Sequence, residues 1–103
     1  DTGKGKALFL EPLSGRAFLS DWTAIEKAAI EINKQMQQGM GGYASVNEWF
    51  DELGLEHIDL GVNVGWNAYN LVKLGKHPAE TANGIACHEL VYENAPRYEY
   101  YRF

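Results

Sequence analysis

The sequence predicts an α+β domain: a small, mostly antiparallel sheet of four or five strands packed on one long helix, with one short helix beside it. Three observations carry this. Residues 20–40 hold the one long run of helical periodicity in the chain. A capping-box pattern, Ser45-Val46-Asn47-Glu48, opens a second and shorter helix. The other apolar runs are short and are separated by Gly, Pro and Asn, as strands joined by turns are.

Residues 1–6 mix Gly and Lys with other polar residues and read as a tail or the end of a linker, leaving 7–103 as a single domain. The apolar runs 7–10 and 16–19 flank Glu11-Pro12-Leu13-Ser14-Gly15, where Pro and Gly mark a turn, so a β-hairpin is expected there. In the long helix, Trp22, Ile25, Ala29, Ile32 and Met36 recur at three- and four-residue steps and form one stripe. Ser20 or Asp21 can cap its start, because a short side-chain oxygen accepts from an orphan backbone N–H, and Gly39 can end it. Lys27, Glu31, Lys34 and Gln35 lie on the far face, and Ile30 falls off the stripe.

Gly39, Gly41 and Gly42 follow a helix, and no Gly-Lys-Ser/Thr succeeds them, so they do not make a phosphate loop. The short helix covers Val46–Leu53, stops at Gly54, and presents Val46, Trp49, Phe50 and Leu53 as its apolar face. Residues 55–60 read as a brief extended piece. Residues 60–67, with Gly61, Asn63 and Gly65, read as a shaped loop using positive φ. A short strand at 71–74 and a turn at 75–78 follow. Asn83-Gly84 is a turn signal ahead of the strongest strand, 85–92, whose Ala86, Leu90 and Tyr92 share a face. After Asn94-Ala95-Pro96, residues 97–103 read as an aromatic strand with Tyr98 and Tyr100 on one face and Tyr101 and Phe103 on the other.

Several classes of function are disfavoured by composition. With 103 residues and a formal net charge of −5, the chain lacks the clustered Lys and Arg that bind phosphate backbones, so no nucleic-acid partner is expected. None of the nine basic residues lies between Lys34 and Lys73, where Glu48, Asp51, Glu52, Glu56 and Asp59 fall. One cysteine, Cys87, permits neither an intrachain disulfide nor a Cys-based zinc knuckle and points to a reducing, intracellular compartment. No run approaches the roughly 20 apolar residues of a membrane-spanning helix, so no membrane contact is expected from this segment itself. The start at Asp1, without an initiator Met, raises the expectation of an upstream segment that could tether the domain to a membrane.

No catalytic, cofactor-binding or metal-ligating residues are predicted. Glu52, Glu56, His57 and Asp59 are ligand types, but their spacing fits no known metal pattern and Gly54 interrupts them. Cys87 and His88 are neighbours on a strand and point to opposite faces; Ser14-Gly15 is no nucleophile elbow; His77, beside Pro78, reads as a loop residue. The aromatics are more informative. Tyr98, Tyr100 and Tyr101 crowd the C-terminus, and Trp66 and Tyr69 sit in the glycine-bearing loop; a small domain needs such rings for its core, and core packing is the first reading, with these five as the candidate interaction surface for a protein partner otherwise. Trp66 has a competing role: burial in the core from the loop side, with its indole N–H on an acceptor and glycines supplying unusual dihedrals.

The motifs Pro12-Leu13-Ser14-Gly15-Arg16-Ala17-Phe18, Glu31-Ile32-Asn33-Lys34-Gln35-Met36, Ser45-Val46-Asn47-Glu48-Trp49-Phe50, Gly61-Val62-Asn63-Val64-Gly65-Trp66-Asn67 and Ala95-Pro96-Arg97-Tyr98 span nearly the whole chain. In this order they resemble an uncharacterised family of phage- and prophage-encoded proteins. The resemblance implies a C-terminal domain behind an N-terminal membrane-associated segment, and a place in the bacterial cytoplasm or on the cytoplasmic face of a membrane. It implies no activity. The expected function is a non-enzymatic interaction or structural domain. The alternatives are a small hydrolase or metal-dependent enzyme around His57 or His88, and a small-ligand module with a pocket near Trp66.

Overall fold

A computed structural model describes residues 6–39 and 41–102. The expected tail, apart from exposed Lys6, and the expected strand residue Phe103 lie outside the described residues. The elements run β1 (Ala7–Glu11), β2 (Arg16–Ser20), α1 (Trp22–Gln38), β3 (Tyr43–Ser45), α2 (Val46–Leu53), a 3-10 turn (Asp59–Val62), β4 (Val64–Asn67), β5 (Leu74–Glu80), β6 (Ala86–Tyr92) and β7 (Arg97–Tyr98). The α+β class, the hairpin and both helices are as the sequence predicts. The single sheet is not. Two sheets form, one of four strands in the order β2-β1-β6-β5 and one of three in the order β3-β4-β7. All pairings are antiparallel except β1 with β6.

Helix α1 does not serve as the backing of one sheet either. Ile25 packs with Phe9 and Leu90 on the four-stranded sheet, while Ala28, Ala29, Ile32 and Met36 join a larger core with α2, β3 and β4. The apolar stripe is therefore shared between two partners, which a stripe alone cannot reveal. Asp21 is the cap, its Oδ1 accepting the Ala24 N–H at 2.8 Å. Half-buried Trp22 stacks on Phe9, centroids 6.2 Å apart, beneath the Lys76 ammonium at 4.8 Å. Ile30 is exposed.

The second sheet was hidden by its glycine. Residues 64–67 form β4 rather than a loop, paired with β3 so that Gly65 faces Ser45 and Trp66 faces Ala44. A Cβ on Gly65 would collide with the Ala44 carbonyl, and one on Gly61 with the Asn47 side chain. These glycines permit close approach of neighbours, and neither has a positive φ.

Residues 55–60 do not extend into a strand. The Asn47 side chain instead holds this segment, its Oδ1 accepting from the Ile58 N–H at 2.9 Å and its Nδ2 donating to the Ile58 carbonyl at 3.1 Å. Asn33 holds Val72 the same way, at 2.9 Å in both directions.

Residues 75–78 lie inside β5, which accepts Pro78 because it is a sheet edge, and His77 is accordingly a strand residue. The expected strand 97–103 ends after Tyr98, because Glu99 turns into the left-handed region at φ 58° and Arg102 N–H closes back on its carbonyl. The alternation of tyrosine faces therefore stops there.

Glu11 reads as a turn residue and is the last residue of β1, 0% exposed. Its carboxylate accepts the Ser14 N–H at 2.6 Å and the Tyr92 hydroxyl at 2.5 Å, and that hydroxyl accepts from the Trp49 indole at 3.0 Å. This buried polar chain ties the hairpin turn to β6 and α2. A buried carboxylate is tolerated only when so satisfied.

Candidate interaction surface

The five aromatic residues marked by the sequence separate into core and surface. Trp66 is 0% exposed, packed against Trp49 at 6.5 Å and Tyr92 at 5.6 Å between centroids. Its indole N–H donates to the Asn94 carbonyl at 2.7 Å. Trp66 is a core residue held by the acceptor it needs, and it is withdrawn from the interaction surface. Tyr100 is also buried: its hydroxyl donates to the Val62 carbonyl at 3.0 Å, and its ring meets Tyr43 at 5.7 Å and Tyr101 at 5.3 Å. Burial, and then the nearby Glu48 carboxylate, push its phenol above the ordinary range. Tyr69, Tyr98 and Tyr101 remain open, at 84%, 68% and 51% exposure.

Tyr69, Tyr98 and the Tyr100 backbone region converge on a cleft of about 360 Å³, completed by Asn67, Asn70, Arg97, Glu99 and Arg102. Its frame is set by amides. Asn67 Nδ2 donates to the Tyr100 carbonyl at 3.3 Å, Asn67 Oδ1 accepts the Tyr69 N–H at 2.8 Å, and Asn70 Nδ2 reaches the Ala95 carbonyl at 3.4 Å. Asn67 and Asn70 also form an isolated bridge. Asn tolerates such tight turns because its side chain substitutes for backbone partners. Arg102 pairs with Glu99 at 2.7 Å, whereas exposed Arg97 has no ion pair among the described residues.

The sequence reading missed Arg97, Asn67, Asn70 and Arg102 as lining residues, and Tyr43 as the third ring beside Tyr100 and Tyr101. One signal was present: two of the three arginines in the chain fall between residues 97 and 102, amid the tyrosines.

A model of a family of unknown function, DUF6353, matches residues 1–101. The chain belongs to DUF6353. No match is found among the curated proteins or the solved structures. Membership in DUF6353 assigns no activity, so any functional reading of this DUF6353 chain rests on its own residues.

The residues of the enzyme alternative are dispersed. His57 Nε2 lies 2.8 Å from Asp51 Oδ1 on the surface, and no group of three His, Cys, Asp or Glu side chains is placed to hold a metal among the described residues. Buried Cys87 lies on the opposite face of β6 from His88, whose ring sits 5.8 Å from Phe9. His77 shares the Cys87 face, but its Nε2 lies 3.5 Å from Glu89 and its Nδ1 3.0 Å from the Pro78 carbonyl, so neither nitrogen is turned to the thiol.

The ligand alternative required space near Trp66, and that ring is enclosed by side chains; the open space lies beside its neighbour Asn67. A further open surface is the outer face of the four-stranded sheet. Leu8, Leu10, Leu19 and Val91 alternate away from Phe9 and Leu90 and belong to neither core cluster. No helix of the described residues is long and apolar enough to cross a membrane.

Proposed function

We propose that this DUF6353 domain is a non-enzymatic interaction module that docks a protein partner at its tyrosine-bearing end. The observation carrying this reading is the convergence of exposed Tyr69 and Tyr98 with Arg97 on one open cleft. Tyr and Arg are the residue types that concentrate binding energy, because a tyrosine ring covers much area with few torsions to order and a guanidinium offers several donors in a planar fork. The motif resemblance to phage and prophage proteins supports placing the module in such a protein, with an upstream segment tethering it to the cytoplasmic face of a membrane. The cleft volume lies near the low end of the range for small-ligand pockets, about 300–1,000 Å³, which favours a small ligand as the second reading.

The test is site-specific photocrosslinking in the full-length protein in its host cells. A benzophenone side chain replacing Tyr69 or Tyr98 is expected to give a discrete protein adduct, and one replacing exposed Ile30 on α1 is not. Adducts of equal yield from all three positions, or none from Tyr69 and Tyr98, would overturn the proposal.

A further inference from the structure

We infer that the cleft receives an extended, carboxylate-bearing segment of the partner, with Arg97 as the carboxylate contact and β7 as the edge along which the segment lies; this rests on the interaction reading above. The first support is charge. The chain carries −5 overall, yet this cleft holds an uncompensated positive group, since Glu99 neutralises Arg102 and no acidic side chain of the described residues pairs with Arg97. A cationic site on an acidic domain selects for anionic partners, and guanidinium matches carboxylate in a two-point geometry.

The second support explains why Arg97 has no ion pair among the described residues. Its cross-strand neighbour on β4 is Gly65, which has no side chain to engage it. That position is glycine because the Ala44 backbone presses against it from β3. Close packing of β4 against β3 thus puts no side chain opposite the arginine on β4.

The third support is the edge. β7 is the outer strand of the β3-β4-β7 sheet and has no strand on its far side among the described residues. An extended segment can pair with such an edge, with main-chain bonds giving affinity and side-chain contacts giving selectivity. Tyr69 and Tyr98 supply exposed ring surface along the same path. Asn67 and Asn70, the amides that would otherwise read sugar hydroxyls or bases, hold the loops that frame the cleft.

The test starts from random peptides displayed on phage, in libraries with amidated-like internal and free C-terminal presentation, selected against the 103-residue chain. Selected peptides are expected to share an Asp, a Glu or a free C-terminus, and to shift the backbone resonances of Tyr98 and Asn70. Arg97→Gln is expected to weaken them about tenfold or more, Arg97→Lys less, and added salt to weaken the parent complex. Amide replacement of the side-chain carboxylate or of the C-terminus tells which source supplies the charge. Peptides that shift Tyr98 but lack a common carboxylate, or that bind Arg97→Gln unchanged, overturn this inference and leave the interaction module standing. Peptides that shift only resonances elsewhere, or no enrichment at all, count against both.

Discussion

The Tyr92 hydroxyl donates to the Glu11 carboxylate at 2.5 Å, joining β6 to β1 at the edge of the hairpin turn. Glu11 is the one fully buried acidic residue among the described residues, and it satisfies both Tyr92 and the Ser14 N–H. Removing it leaves two half-buried donors without this acceptor. Glu11→Ala is therefore expected to lower stability by about 2–4 kcal/mol, since each orphaned donor costs roughly 1–3 kcal/mol. Glu11→Gln, which keeps an acceptor, is expected to lose less. Urea denaturation of the two variants measures this, and equal losses would mean that packing rather than hydrogen bonding is what Glu11 supplies.

Alkaline stability follows from the same residue pair. Burial, then the Glu11 charge and hydrogen bond, hold the Tyr92 phenol far above its ordinary pKa of 10.0. Tyr100 is raised too, first by burial. Well below pH 10 both phenols keep their protons in the folded and unfolded chains, so neither contributes a pH dependence there. Above it the unfolded chain sheds protons that the native state retains, so the unfolded state binds fewer and stability falls as pH rises. Tyr92→Phe is expected to start less stable at pH 7 but to lose less between pH 9 and 11. Chemical denaturation across that window decides it, and parallel curves would show that Tyr92 does not govern the alkaline limb.

Gly65→Ala is expected to cost about 1–3 kcal/mol or more, because the added methyl meets the backbone of β3, which can move only by separating the strands. Gly39→Ala is the contrast. Its φ of −163° is ordinary extended backbone and no atom of the described residues beyond its chain neighbours lies within 4 Å of the new methyl, so a change within about 0.5 kcal/mol is expected. Thermal unfolding of the pair reads the difference.

Asn47→Ala and Asn33→Ala each remove a side chain that both donates to and accepts from one residue's backbone. Each is expected to cost about 1–3 kcal/mol. The specific readout is hydrogen exchange: the Ile58 amide should lose protection in the first variant and the Val72 amide in the second. Unchanged exchange at those amides would mean that the loops are held by packing alone.

What was legible in the sequence is what depends on near neighbours. The Ser45–Glu48 capping box closes within one helical turn, so residue identities suffice: Ser45 Oγ accepts the Glu48 N–H at 3.1 Å and Glu48 accepts the Ser45 N–H at 2.8 Å. The α1 stripe, the hairpin and the burial of Trp66 follow equally from local pattern and from the size of an indole. The tyrosine-rich end was legible as a composition, but not as a cleft.

Only the tertiary structure decided the rest. Gly65 has the same chemistry in a turn as in a strand, and what makes it a strand residue is β3, which the chain brings alongside after α2 so that Ser45 lies opposite and the Ala44 carbonyl presses close. Glu11 sits beside Pro12 and looks like a turn residue until Tyr92, 81 positions away, supplies its donor. Arg97 is charged in any fold, but among the described residues it has no ion pair, and its cross-strand opposite is that same glycine. A side chain's partners across long sequence separations set its burial and its free valence, and those partners are chosen by the packing of the whole chain.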